Sequence, residues 1–120
     1  MRCKFVETAE FQKLCRKNKV KDHHIHAFQN ELLDDPKKGD LIVGSGGARK
    51  LRVASDQKGK SGSFRVIYTD FASFGVIYLW VVIAKSDADN ISPEEKKFIK
   101  KMNTAIKNAL AKGAKKNEKI

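Results

Sequence analysis

Only two cysteines occur in this chain, Cys3 and Cys15. Two are too few for a disulfide framework and lack the companions a zinc site needs, so both are expected reduced. No apolar run approaches the roughly 18 residues of a membrane helix; the longest spans Val76 to Ala84. The start, Met1 to Glu7, has no long apolar stretch and no small-residue cleavage site, so no signal peptide is expected and the cytoplasm is the expected location. The length, 120 residues, falls well short of the roughly 250 a TIM barrel needs and suits a single domain over 1–120. Acid is the scarce charge. Asp and Glu total 14 against 25 Lys and Arg, a net charge of +11. Such an excess favours a polyanionic partner: nucleic acid, anionic membrane or acidic protein. The plain alternative is a solvated basic surface without a target.

What is present is patterned. Lys4 to Glu7 reads as a short strand and Thr8 as a helix cap. Phe11, Leu14 and Cys15 then mark one helix face. Asp22 reads as the cap of a second helix with the stripe Ile25, Phe28, Gln29, Leu32 and Leu33, closed by Pro36. Together these form a helical hairpin. Asp40 to Val43 is a strand candidate and Gly44-Ser45-Gly46-Gly47 a turn or flexible loop. Lys50 to Val53 alternates, with Leu51 and Val53 facing a core and Lys50 and Arg52 facing away. Phe64 to Thr69 and Val76 to Ile83 read as a hairpin with a longer loop, the latter strand lying inside the sheet. Ser92-Pro93-Glu94-Glu95 starts a last helix whose face is Phe98, Ile99, Met102, Ala105, Ile106, Ala109 and Leu110. Gly113 is expected to end it, leaving 113–120 as a frayed basic tail. The order β-α-α-β-β-β-β-α defines an α+β fold.

Some motifs mislead. Ala54 to Ser61 nearly spells a phosphate-binding loop, yet a strand follows where the mechanism requires a helix. Gly44-Ser45-Gly46-Gly47 fails the dinucleotide fingerprint, because Arg49 stands where the last Gly belongs. His23, His24 and His26 have no Cys or carboxylate cluster to complete a metal site and read as solvent-facing, so no metal is expected. The basic segment says more. From Gly44 to Arg65 the cations are Arg49, Lys50, Arg52, Lys58, Lys60 and Arg65, against Asp56 alone. They come from strands and a Gly-rich loop, where backbone can approach a phosphate chain closely. Phe64 and Tyr68 lie beside them as candidates for stacking on bases. Arg49, Lys50, Arg52, Phe64 and Tyr68 are therefore the candidate RNA-binding set. Nine lysines from Lys96 to Lys119 read as a solvated helix face that adds long-range attraction.

Four segments carry a family resemblance: Phe28-Gln29-Asn30-Glu31-Leu32, Pro36-Lys37-Lys38-Gly39-Asp40, Gly44 to Val53, and Gly62-Ser63-Phe64-Arg65-Val66-Ile67-Tyr68. In combination they resemble the RelE/ParE toxin superfamily, and its HigB-type branch most. The resemblance implies a RelE-like fold with a mainly antiparallel sheet, an N-terminal helical hairpin and a C-terminal helix. It implies a toxin of a type II toxin–antitoxin pair that cuts mRNA on the ribosome without metal or other cofactor. The implied partners are a cognate antitoxin, the ribosome and mRNA, with no membrane. The implied reaction uses the RNA 2′-hydroxyl and needs a base, an acid and cations for the charge building on the phosphate. Matched by position, Arg65 stands at the family's strand arginine, where a fixed planar cation suits a phosphate. Arg52, Lys58 and Lys60 match its basic strand and loop positions, and Lys85 the basic residue ending its last strand. A lysine crowded by cations has its ammonium disfavoured, which makes Lys58 or Lys60 a candidate base or acid. Arg65, Lys60, Lys58 and Lys85 are thus the candidate catalytic set. After Lys85 the run Ser86-Asp87-Ala88-Asp89-Asn90 lacks residues that some relatives carry. The alternative is therefore a ParE-like toxin, not a nuclease, acting on a protein such as DNA gyrase.

Overall fold

A computed structural model describes residues 3–54, 63–84 and 91–118 of the chain. The strands are β1 (Lys4–Glu7), β2 (Asp40–Leu41), β3 (Ala48–Ala54), β4 (Ser63–Phe71) and β5 (Val76–Ala84). The helices are α1 (Ala9–Lys17), α2 (Asp22–Asp34) and α3 (Pro93–Glu118). One five-stranded sheet has the order β1-β5-β4-β3-β2. All neighbours are antiparallel except β1 and β5. The expected α+β architecture is the observed one.

Each boundary has a local cause. Thr8 Oγ1 accepts from Phe11 N at 3.0 Å, satisfying an orphan donor of α1, and donates to Trp80 O at 2.9 Å. That pins α1 to β5. At α2 the cap is Lys21, not Asp22. His24 Nδ1 accepts from Lys21 N at 3.1 Å, and Asp22 is the first helical residue, where its charge suits the dipole. That duty takes His24 out of solvent; it is buried, with its ring edge-on to Phe64. Ser92 and Glu95 form a reciprocal capping box at 3.1 Å in each direction.

The sheet has a core on each face. Toward α1 and α2, Leu51, Val53, Phe64, Val66, Tyr68, Ile77 and Leu79 pack on Phe11, Cys15, Phe28 and Leu32. Burial in that core, with Glu7 nearby, pushes the Cys15 thiol up to about 11. On the other face, Ala48, Ile67, Trp80 and Val81 pack on Ile42, Ile91 and Ile99. A bulge makes this possible. Ile67 pairs with Val81 and Tyr68 with Leu79, so Trp80 is an extra residue in β5. Its indole N–H donates to Thr69 Oγ1 at 2.8 Å.

Of the two alternatives for Gly44–Gly47, a turn or a flexible loop, the structure shows the turn, while two other expectations are corrected. Ser45 is fully buried, its Oγ donates to Ile42 O at 2.6 Å and accepts from Ala48 N at 2.9 Å, and Asn103 Nδ2 donates to Ser45 O at 3.0 Å. Gly46, at φ +74°, lies where a Cβ would stand 3.3 Å from the Lys100 Cα, so α3 rests on this turn. The β4–β5 loop is shorter than expected, because β4 runs to Phe71 and a 3-10 turn (Ala72–Phe74) closes on Gly75 at φ +73°. Gly113 does not stop α3, whose backbone stays helical to Glu118. Gly costs about 1 kcal/mol inside a helix, and its flanks here are good helix formers.

Candidate nucleic-acid interface

Strand alternation sorts the cationic residues onto two faces. Across β3 and β4, Arg52 pairs directly with Arg65, and Lys50 with Ile67. Direct partners in an antiparallel pair project to the same side. Lys50, Arg52 and Arg65 therefore share the face that also carries α3, opposite the helical hairpin. Arg65 in turn pairs with Ile83 of β5. Arg52 is exposed, and Lys50 and Arg65 are half-buried. Directly opposed residues have Cβ atoms about 5 Å apart, and like charges so placed destabilise a sheet. A phosphate bridging Arg52 and Arg65 converts that repulsion into attraction, and two planar forks suit bidentate phosphate contacts.

Arg49 belongs elsewhere. It pairs with Tyr68 on the hairpin face. Its Nη1 donates to Gly39 O at 2.8 Å and to Lys37 O at 3.2 Å, tying the α2–β2 connection to the sheet. Tyr68 completes the tie. Its hydroxyl donates to Pro36 O at 2.7 Å and accepts from Gly39 N at 3.0 Å. Burial raises the phenol above its ordinary pKa, with the Gly39 hydrogen bond pulling the other way, so it stays a proton donor at neutral pH. Tyr68 is 0% exposed and Phe64 5%. The expectation that these rings stack on bases is therefore corrected: no ring face is available, because both belong to the hairpin core. Arg49→Ala is expected to lower the melting temperature by several degrees, following loss of about 1–2 kcal/mol. Activity per folded molecule should hold. Thermal melts and single-turnover assays check both.

Lys58, Lys60 and Lys85 lie outside the described residues, as do most of the phosphate-loop look-alike and Ser86–Asn90. Among the described residues no group of His, Cys, Asp and Glu could hold a metal, and no helix is long and apolar enough to cross a membrane.

The fold and this face define a small basic α+β protein that presents paired arginines on an open part of its sheet. The family model for the RelE toxin of the RelE/RelB toxin–antitoxin system matches residues 3–118, and the chain belongs to that family. Among solved structures it is similar to E. coli toxin RelE, in the free state and with two arginines replaced by alanine. The TM-score is 0.51 at 18% identity, covering 74% of this chain and 88% of that one. At that identity the likeness is one of fold.

Proposed function

We propose that this toxin cleaves mRNA on the ribosome, using the paired arginines of the sheet face to hold the scissile phosphate. The observation that carries this reading is the direct pairing of Arg52 with Arg65 beside Lys50 on one open face. The RNA 2′-hydroxyl oxygen attacks the adjacent phosphorus, and the bond to the 5′ oxygen breaks. A base takes the 2′ proton and an acid supplies one to the departing 5′ oxygen. The arginines stabilise the extra negative charge on the phosphate between those events. Lys58, Lys60 and Lys85 are the proposed source of the proton-transfer groups. The ribosome supplies the remaining catalysis by fixing the RNA geometry, an orientation effect. The reading places the protein in the cytoplasm, held inactive by a cognate antitoxin, and assigns it to the HigB-type branch.

Mapping mRNA 5′ ends after induction tests the proposal. New ends should appear within translated regions, and purified protein should cut ribosome-bound message far faster than free RNA. Growth arrest without new ends would move the function to a protein target such as DNA gyrase. Equal rates on free and bound message would remove the ribosome from the mechanism.

A further inference from the structure

α3 leaves part of its apolar stripe uncovered. Phe98 is 58% exposed, although its neighbour Ile99 is buried. It overhangs a groove of about 600 Å³ between α3, the start of α1 and the outer part of β5. Tyr78, Trp80 and Val81 form the floor, with Phe98 and Met102 as one wall. The floor is rigid: Tyr78 stacks on Trp80 at 5.4 Å and meets the edge of Phe71 at 5.8 Å. Two of its polar groups are used internally: the Trp80 indole N–H is bonded to Thr69, and Thr8 Oγ1 to Trp80 O and Phe11 N. The groove therefore offers mainly apolar surface.

Its rim has the opposite sign to the molecule. The charged residues lining it are Glu10, Glu94 and Glu95, with no lysine or arginine among the described lining residues, in a chain of net charge +11. Charges farther than about 8 Å are largely screened at physiological salt, so a docked segment feels the rim glutamates, together with Lys97 and Lys101 on the same turns of α3, more than the rest of the net charge. Along the ladder, Val81 at its near end lies ~7 Å and Tyr78 at its far end ~13 Å from the Arg52–Arg65 row, at ~3.3 Å per residue. It therefore adjoins the proposed RNA site without including its arginines.

We infer that this groove is a docking site for a protein segment that carries large apolar side chains flanked by lysine or arginine. Apolar anchors fill the space over Tyr78 and Trp80, and flanking cations meet Glu10 and Glu94. The site does not depend on the cationic face cutting RNA.

Trp80 is the chain's single tryptophan, so its emission reports on the groove alone. The probes are two tryptophan-free peptides with the same leucine-rich core and a central bromophenylalanine, one flanked by lysines and the other by glutamates. The full chain should show saturable Trp80 quenching by the lysine-flanked peptide, with about tenfold weaker binding of the glutamate-flanked one. Phe98→Ser should weaken the first by about tenfold or more, as expected for loss of an aromatic anchor. The double variant Glu10→Lys with Glu94→Lys touches no core residue and should reverse the preference. Absence of saturable quenching, equal or tighter binding of the glutamate-flanked peptide, or an unchanged preference in the double variant would each overturn the assignment.

Discussion

Arg65→Ala is expected to lower single-turnover mRNA cleavage by on the order of 100- to 1,000-fold, the usual cost of removing one donor to a developing oxyanion. The protein should remain folded. Arg65 lies on the sheet face away from the hairpin core, and its strand neighbours Phe64, Val66 and Ile67 supply the packing. Arg65→Lys should recover little, because an ammonium cannot reproduce a bidentate planar fork. Arg52→Ala should act mainly on binding, since Arg52 is exposed and opposes Arg65 from the neighbouring strand. Lys38→Ala is the control: Lys38 is paired with Glu31 at 2.9 Å at the surface beyond α2, and its loss should leave cleavage unchanged. The measurement is cleavage of ribosome-bound message at saturating toxin, with circular dichroism on each variant. A folded Arg65→Ala protein that cuts at the parental rate would remove Arg65 from the chemistry.

The elements were legible because their signals are local. Thr8, Ser92 and Pro93 cap helices by rules that act within one turn, and the Leu51/Val53 alternation reports a buried strand face directly. The same alternation fixes the side on which every β3 residue and its direct partner lies. If Leu51 and Val53 face the hairpin, so does Arg49, and the direct strand partners Phe64 and Tyr68 must join them. Grouping by position along the chain placed all the cations and rings in one patch, whereas the pleat divides them. His24 resists prediction for a different reason: a histidine standing where a capping box usually has Glu or Gln, three residues after the cap, is visible only once the ring position is known. Phe98 fits the helical period of a buried face, yet burial depends on what covers that face, and a single helix sequence does not encode its neighbour. Gly113 shows the limit of a stop signal judged without the geometry beyond it.

The tie between α2 and the sheet yields the second large effect, through Gly39. A Cβ at this position would stand 2.9 Å from the Lys50 carbonyl oxygen and 2.9 Å from the Tyr68 ring. Neither neighbour can yield easily. The first is strand backbone, and the second is a fully buried ring whose hydroxyl is held by Pro36 and Gly39 itself. Gly39→Ala is therefore expected to destabilise by about 2–3 kcal/mol through overpacking, lowering the melting temperature by roughly 5–15 °C in a domain of this size. The damage should reach the cationic face, because the displaced carbonyl belongs to Lys50, two residues from Arg52 on β3. Tyr68→Phe separates the two consequences. It removes the hydroxyl and leaves Gly39 N–H and Pro36 O without that partner, a loss of about 1–3 kcal/mol, but it inserts nothing against β3. Gly39→Ala should thus lower both stability and cleavage per folded molecule, and Tyr68→Phe stability alone. Melting curves paired with single-turnover rates below both transitions decide the matter. If Gly39→Ala melts with the parent protein, the close approach of this connection to β3 is wrong.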